Sequence, residues 1–308
     1  MPETQLIVSV QYALPEDKPR GAVVVVNDCV CSTSKDRARF VGLAPGRYTV
    51  RVVPRGIRHA IASVQADVVE GEATTVSIKL PHYVFIYFSI YYRTGDDAFK
   101  RASDTWRRSL SAPSYRSGVD QFFEQEVSTE AEFVAAWTAA HAVIASFAAP
   151  YTQRVALEGR LWTHASMGSA ADGLEFQGAN NTLTQSDIAA LQELTWHPSG
   201  LLYLHSCNSG LKDDRSWCPA EEMHKTQGIG TIGQTGYAYF STSEDKYVES
   251  TPKSQDLFLW AYRRGKNKVF GDGGAMPPAT FGPVATAVWN KLDVLSPFLW
   301  KECRQCAA

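Results

Sequence analysis

The chain has 308 residues, of which 44% are hydrophobic and 20% are charged. Domains usually contain about 100–200 residues, so a chain of this length predicts two domains. Its 30 basic and 32 acidic side chains give a formal net charge of -2. Such a balance gives no electrostatic reason to expect a nucleic-acid partner.

The sequence contains no segment that favours export through a signal peptide or insertion into a membrane. The first residues, MPETQLIVSVQYALPEDKPR, lack the basic start and the long apolar run of a secretory signal peptide. The longest apolar stretch, YVFIYFSIYY, is shorter than the about 20 residues that span a bilayer. We therefore expect a cytoplasmic protein with no membrane partner, and secretion without a cleaved signal remains an alternative.

The six cysteines do not predict a metal site. Cys303-x-x-Cys306 has the spacing of half a zinc site, but no second CxxC or HxxxH completes it. Cys29 and Cys31, two apart on a predicted strand, are badly placed for a disulfide with each other. We expect a protein that works without a metal or an organic cofactor.

The first part of the chain, residues 1–81, has the pattern of an antiparallel β-sandwich. Short runs rich in Val, Ile, Thr and Tyr are separated by turn signals such as Pro45-Gly46 and Glu70-Gly71. Strands at this spacing are typical of a sandwich. The runs are LIVSVQYAL, GAVVVVND, ARFVGL, RYTVRVV, ASVQADVV and TTVSIKL.

One of these runs resembles a known module. FVGLAPGRYTVRVVPRG is similar to the F-x-G-L-x-P-G-x-Y-x-V core of carboxypeptidase-regulatory and prealbumin-like domains. The resemblance covers roughly the first 80 residues. It implies a structural or docking module, through which an activating or docking protein partner could bind.

From residue 82 to residue 308 the pattern alternates between strands and helices. YVFIYFSIYY is continuously apolar, as expected of a strand buried on both faces. In TEAEFVAAWTAAHAVIASFAA, Ser128 or Thr129 can cap a helix whose stripe contains Phe133 and Trp137. The other predicted strands are DQFFEQEVS, VALEGRLWTHA, GLLYLHSC and IGTIGQTGYAYFS, and the other helices are DDAFKRASDTWRRSL, SDIAALQEL (N-cap Ser186), AEEMHKTQ and PVATAVWNKLDV.

This alternation predicts an α/β domain with a mostly parallel sheet flanked by helices. Residues 265–282, rich in Gly and Pro, are predicted to form a loop. In parallel sheets of this kind, active groups lie just beyond the carboxyl ends of the strands. The polar residues that follow each predicted strand are therefore the candidates for a functional site.

His164 follows one predicted strand and Cys207 follows the next. Ends of adjacent parallel strands meet at one edge, where an imidazole can stabilise a thiolate nucleophile. Ser209 and Gly210 permit a sharp turn after the cysteine, which would direct backbone N–H groups at a developing oxyanion. The pair predicts nucleophilic catalysis by Cys207 with His164 as the base.

The residues around this pair resemble clan CD cysteine peptidases. Cys207-Asn208-Ser209-Gly210 matches the Cys-x-Ser-Gly ending of the metacaspase nucleophile strand and is similar to legumains. RLWTHASMGSAADGLEF resembles the strand that carries the histidine of the family. Ala165 stands where the family has Gly, and the Gln-Ala-Cys-x-Gly motif of caspases proper is absent.

The resemblance extends over about residues 83–245 and implies a caspase-like fold. It implies a cysteine endopeptidase acting on a protein or peptide, with an oxyanion held by the N–H groups of Cys207 and Ala165. Bacterial relatives of the CHAT type can be toxins, effectors or defence proteases. The alternative is a catalytically silent binding or scaffold protein, for which Ala165 is the motivating residue.

Four residues are candidates for substrate binding. Arg93-Thr94-Gly95 resembles the caspase Arg-x-Gly turn, which implies cleavage after acidic residues. If Asp96 or Asp97 faced the pocket instead, the preference would be basic. GYAYFSTSEDKY resembles the segment that pairs with substrate backbone. The candidates are Arg93, Asp172, Gln234 and Ser241.

Each of these residues also has a simpler interpretation. Arg93 can be a solvated turn residue, and Gln234 and Ser241 can be ordinary polar residues of a strand. Asp172 and Glu175 can orient the His164 imidazole, touch substrate or only solvate a loop.

The remaining histidines offer weaker alternatives. His205 shares a strand face with Cys207 and is the rival base, although it lies two residues deeper. His141 lies on an apolar helix stripe and is expected to be packed. The other four are expected in loops or at the surface: His59, His82, His197 and His224. Cys207 and His164 themselves could also be packed core residues.

Overall fold

The computed structural model describes most of the chain as far as residue 241 and two short stretches beyond it. The described residues are 3–13, 21–33, 36–95, 97–112, 114–146, 149–166, 172–177, 181–212, 216–235, 237–241, 258–262 and 279–282. Contacts divide them into two units. The first contains the described residues up to Val84 and a short stretch ending at Gln153, and the second contains the remainder up to residue 287.

The first unit is built from two β-sheets. Its strands are β1 (Gln5–Gln11), β2 (Ala22–Val26), β3 (Cys29–Ser32), β4 (Arg37–Val41), β5 (Gly46–Pro54), β6 (Ala62–Val68) and β7 (Ala73–Lys79). One sheet has the order β4-β1-β7 and the other the order β3-β2-β5-β6. Alternate residues of β1 and β2, such as Val8 and Val24, are fully buried in one shared hydrophobic core. Each such side chain stabilises the fold by about 1.5–3 kcal/mol.

The prediction of an antiparallel sandwich is wrong for one strand pair. β1 pairs with β4 in antiparallel fashion but with β7 in parallel, with Gln5 opposite Ala73. A parallel pair needs a long crossover, and here β2–β6 provide it. The apolar alternation of β7 is the same for either direction, so the sequence pattern alone does not distinguish them.

Three histidines assigned to loops or the surface are buried instead. His59 and His82 form an isolated β-bridge with ring centroids 5.6 Å apart, and Tyr12 packs edge-on against His59. His197 is buried against the ring of Phe85, 5.5 Å away. These residues lie after a bend or near the start of a strand, where the backbone directs them into the interior. Their burial cannot be predicted from residue type alone.

The second unit is a mixed α/β structure. Its strands are β8 (His82–Tyr92), β9 (Gln121–Val127), β10 (Thr152–Trp162), β11 (His164–Ser166), β12 (Gly173–Glu175), β13 (Thr182–Leu183), β14 (Trp196–Leu204), β15 (Gly230–Gly233), β16 (Tyr237–Ser241), β17 (Phe258–Tyr262) and β18 (Ala279–Phe281). Its helices are α1 (Ala98–Ser109), α2 (Glu130–Ala145), α3 (Gln185–Ala189) and α4 (Pro219–Gln227).

The main sheet has the order β18-β15-β14-β10-β8-β9. Five of these strands are parallel, and β18 is antiparallel to β15. This outcome confirms the predicted α/β class with a mostly parallel sheet. β18 lies within residues 265–282, the segment predicted to form a loop, so that prediction is wrong for this strand. An edge strand of three residues is too short to show a periodic pattern in the sequence.

The core of this sheet follows from the apolar run in β8. Every residue from Phe85 to Tyr91 is buried, as predicted. The Phe88 ring meets Trp137 of α2 edge-on at 5.7 Å. On β10, a Cβ at Gly159 would lie 2.3 Å from the Phe88 ring. Glycine is therefore needed at residue 159, because the Phe88 ring occupies the space that a side chain would fill.

The helix caps agree with the sequence in one case and differ in another. Thr129 caps α2 as predicted, since its hydroxyl accepts from the backbone N–H of Glu132 at 3.2 Å. The predicted cap Ser186 is wrong, because α3 begins after Thr184. There the Asp187 carboxylate accepts from the Thr184 N–H at 2.9 Å.

The predicted strand IGTIGQTGYAYFS is two strands. β15 belongs to the main sheet, whereas β16 pairs with β17 in a separate antiparallel ribbon. Segment PVATAVWNKLDV and the Cys303-x-x-Cys306 pair lie outside the described residues. Within the part of the chain that the structure describes, no helix is both long and apolar enough to cross a membrane.

Candidate functional site

Two neighbouring parallel strands, β10 and β14, end side by side. Leu161 lies opposite Leu204, and the backbone N–H of His205 donates to the Leu161 carbonyl at 2.8 Å. Beyond this ladder the hydroxyl oxygens of Thr163 and Ser206 are 2.7 Å apart, and both residues are almost fully buried. A backbone hydrogen bond and a buried hydroxyl pair thus hold the two strand ends together.

His164 and Cys207 directly follow this hydroxyl pair: His164 is the first residue of β11, and Cys207 lies in the turn after β14. His164 is exposed, and its ring packs edge-on against Tyr92 at 5.6 Å and Phe99 at 5.1 Å. Cys207 is half-buried and carries a free thiol. The two predicted functional residues therefore lie at the same edge of the sheet, just beyond the ends of the adjacent strands β10 and β14.

A tight turn follows Cys207. Asn208 has a left-handed φ of 54°. Ser209 is fully buried, and its hydroxyl lies 2.9 Å from the Ser206 carbonyl and accepts from the Gln234 N–H at 3.1 Å. The N–H of Gly210 donates to the Gln234 carbonyl at 2.9 Å. The turn predicted from the Ser-Gly pair is therefore fastened to the end of β15.

Gln234, predicted to face substrate, supports this turn through its backbone. Its side chain is only 7% exposed. The preceding residue Gly233 lies against the turn so closely that a Cβ there would be 2.7 Å from the Gly210 nitrogen. Ser241 is the last residue of β16, opposite Phe258, and its side chain lies outside the described part.

Burial dominates the electrostatics of the Cys207 thiol. It raises the pKa of the thiol, because the thiolate loses solvation. The backbone N–H of Ala238, 3.3 Å from the sulfur, and the N–H of Cys207 itself lower that pKa in part. The Glu175 carboxylate raises it further. The thiol is therefore protonated at neutral pH unless a nearby base accepts its proton.

An open cavity of about 670 Å³ adjoins His164. Arg93, Asp97, Lys100 and Glu126 contribute its charged groups, so Arg93 and His164 share one cavity. The Arg93 guanidinium is bound to the Glu126 carboxylate, and this hydrogen bond raises the pKa of Arg93. Glu126 lies on β9, where it faces Tyr91 of β8 across the parallel ladder.

A small antiparallel sheet follows His164. β11 pairs with β12 so that His164 lies opposite Glu175 and Ala165 opposite Leu174. Ala165, predicted as an oxyanion donor, is half-buried in β11. Asp172 is buried, only 4% exposed, and precedes β12. Of the two carboxylates considered from the sequence, Glu175 is the one opposite the imidazole.

The rival base His205 is in a different environment. Its ring stacks on Trp162 at 4.0 Å and is almost fully buried. Burial, and then the charge of Arg160, lower its pKa well below the ordinary value. This ring therefore stays neutral within the sheet layer.

Sequence reasoning missed three residues of this region. Thr163 and Ser206 directly precede the histidine and cysteine, and small polar residues ending two apolar strands were the available signal. No sequence signal pointed to Glu126, because its pairing with Arg93 depends on which strand lies next to β8 in the sheet.

Comparisons with known proteins add little to this geometry. No family model and no curated protein matches the chain. One similar solved structure is the Bacillus anthracis TIE protein, with 18% sequence identity and a TM-score of 0.22. The likeness covers 29% of this chain and 19% of that chain. A likeness of this size carries no argument about fold or activity.

Proposed function

We propose that the chain is a cysteine endopeptidase of the caspase-like type, with Cys207 as nucleophile and His164 as general base and acid. The observation that carries this proposal is the 2.7 Å contact between the Thr163 and Ser206 hydroxyls. It fixes the strand ends from which the two side chains start. Their position beyond the carboxyl ends of parallel strands is where α/β proteins bind ligands.

The proposed reaction proceeds through a thioester. His164 accepts the thiol proton, and the sulfur attacks the scissile carbonyl carbon to form a C–S bond. N–H groups at Cys207 and Ala165 hold the resulting oxyanion. The imidazolium protonates the amine as the C–N bond breaks. Water, deprotonated by His164, then attacks the thioester, which releases the acid and restores the thiol.

The raised pKa of the Cys207 thiol supports a role for a base. A protonated thiol is a poor nucleophile, so its reactivity depends on proton transfer to a neighbour. The exposed imidazole of His164, which follows the end of the adjacent strand, is the base that we propose for that transfer. The chemistry needs no metal or organic cofactor.

The cavity beside His164 is the proposed site for the side chain before the scissile bond. A substrate carboxylate could pair with Arg93 by displacing Glu126, whereas a cationic side chain could pair with Asp97 and Glu126. Extended substrate backbone would add along β16, near Gln234 and Ser241. The N-terminal sandwich remains a candidate docking module, and a toxin, effector or defence role is a proposal from family resemblance.

A peptide-library cleavage profile of the parent and of Cys207→Ala tests the proposal. Labelling by a peptidyl electrophile, located by mass spectrometry, should modify Cys207 in the parent and be strongly reduced in His164→Ala. Cleavage that survives in Cys207→Ala, or a parent that neither cleaves nor becomes labelled, would overturn the peptidase proposal.

A catalytically silent binding or scaffold protein is the second candidate. It is favoured by the raised pKa of the half-buried thiol and by the Cβ that Ala165 adds beside His164. In that case Cys207 should resist the peptidyl electrophile. Binding of peptides should then be the same in the parent and in Cys207→Ala.

A further inference from the structure

We infer that Glu175 is a positioning residue, whose carboxylate orients the His164 imidazole and stabilises its protonated form. The inference rests on the proposed peptidase function of His164 and Cys207. It assigns to one carboxylate, selected by its place in the β11–β12 ribbon, a role that no single sequence motif identifies.

The first support is the register of the ribbon. His164 and Glu175 are directly opposite each other in an antiparallel pair. Such residues have their side chains on one face, with Cβ atoms about 4.5–5.5 Å apart. A carboxylate on that face can reach an imidazole without any change of the backbone.

The second support is that this register cannot slip. Leu174 lies on β12, the central strand, and is fully buried. It lies opposite Leu183 of β13, which is also fully buried. A Cβ on Gly173 would lie 2.0 Å from the Leu183 carbonyl oxygen. A shift by one residue would expose Leu174 and bring a side chain into this contact. Glu175 is therefore held opposite His164.

The third support is electrostatic. Among the described residues, Glu175 is the one charged side chain with a resolved effect on the Cys207 thiol, whose pKa it raises. The same carboxylate therefore acts on the cysteine and faces the histidine. The hydrogen-bonding groups that lower this pKa are the neutral backbone N–H groups of Ala238 and of Cys207.

Other charges near His164 are already engaged or lie elsewhere in its cavity. Arg93 is bound to Glu126, and Lys100 donates to Asp104 at 3.0 Å. Tyr92 and Phe99 contact the imidazole with their rings. The charged groups that line its cavity are Arg93, Asp97, Lys100 and Glu126, and the buried Asp172 directly precedes β12 of the same ribbon.

The direction of the effect follows from charge. A carboxylate favours the imidazolium and disfavours the thiolate, so it raises the pKa of both groups. Because the pKa values of His164 and Cys207 rise together, the equilibrium between the neutral thiol and imidazole and the thiolate–imidazolium ion pair changes little. The benefit lies in ring orientation and in retaining the proton that the leaving amine needs.

Three variants test this role: Glu175→Gln, Glu175→Asp, and Glu193→Gln as a charge-matched control. Glu193 is exposed in the loop before β14, far along the chain from the ribbon. We would measure the His164 ring titration by NMR. We would also measure the pH dependence of Cys207 alkylation by iodoacetamide, read from the Cys207 peptide by mass spectrometry.

In Glu175→Gln both midpoints should move to lower pH, in Glu175→Asp they should move less, and in Glu193→Gln they should stay. On the best peptide of the library, kcat should fall about tenfold in Glu175→Gln with KM within about twofold. Midpoints in Glu175→Gln that match the control would overturn the inference. An unlabelled, inactive parent would instead overturn the peptidase proposal, while the His164 titration would still test the coupling to Glu175.

Discussion

The two edges of the parallel sheet use buried polar groups in opposite ways. At the amino edge, the Gln227 side chain accepts from the Leu194 N–H at 3.0 Å and the Trp196 indole at 3.2 Å, and donates to the Gln192 carbonyl at 3.3 Å. None of these groups titrates near neutral pH. The amino-edge network is closed and serves the fold.

At the carboxyl edge, buried hydroxyls support groups that can exchange protons. Thr163 and Ser206 bind each other, and the residues directly above them are an exposed imidazole and a half-buried thiol. Buried polar groups cost free energy unless they are hydrogen-bonded. We expect that hydrogen-bonded hydroxyls beneath a titratable pair distinguish the carboxyl edge from the amino edge, and the following experiments test this difference.

The largest effect is expected from the pair itself. His164→Ala and Cys207→Ala should each lower kcat/KM by on the order of a thousandfold or more, because they remove the proposed base and the proposed nucleophile. The melting temperature should change little for the exposed His164. Cys31→Ala, which removes another free thiol, is the control and should keep parental activity. If Cys207→Ala still cleaved peptides, the carboxyl edge would no longer differ from the amino edge in carrying the proposed chemistry.

The next effect concerns the hydroxyl pair. Thr163→Val keeps the shape of the side chain but leaves the Ser206 hydroxyl buried without its partner, which should cost about 1–3 kcal/mol of unfolding free energy. We also expect the rate of Cys207 alkylation to change, because the strand ends are no longer held.

The double variant Thr163→Val with Ser206→Ala completes a mutant cycle. It should be less destabilised than the sum of the single variants, because no hydroxyl remains unsatisfied. Denaturant unfolding of all four proteins measures this coupling. Strict additivity would mean that the two hydroxyls do not stabilise each other.

At the amino edge the expectation is loss of stability alone. Gln227→Leu leaves the Leu194 N–H and the Trp196 indole without their acceptor, which should cost about 1–3 kcal/mol. Alkylation of Cys207 should keep its parental rate and pH dependence while the protein is folded. A changed thiol reactivity would show that the two edges are coupled.

The smallest effect is expected at Glu126. Glu126→Gln releases the exposed Arg93 guanidinium, so cleavage after Asp should rise relative to cleavage after Arg by about threefold, since exposed ion pairs are weak. The ratio of kcat/KM for paired Asp and Arg peptides measures this change. A ratio that moves toward Arg would assign the pocket to cationic side chains.

Features that depend on neighbours along the chain can be predicted from the amino-acid sequence. The apolar run of β8 predicted a strand buried on both faces, and Thr129 predicted the start of α2. Periodicity and capping act within one element, so they can be read locally. The same holds for the turn that the Ser209-Gly210 pair allows after Cys207.

Which strands and helices become neighbours in space depends on the tertiary fold. The parallel pairing of β1 with β7, the separation of β16 from β15, and the burial of His59 needed the order of strands in the sheets. Glu175 rather than Asp172 lies opposite His164 because the ribbon register places it there. A cross-strand partner is set by register and sheet order, which involve residues far apart in the chain and leave no local pattern.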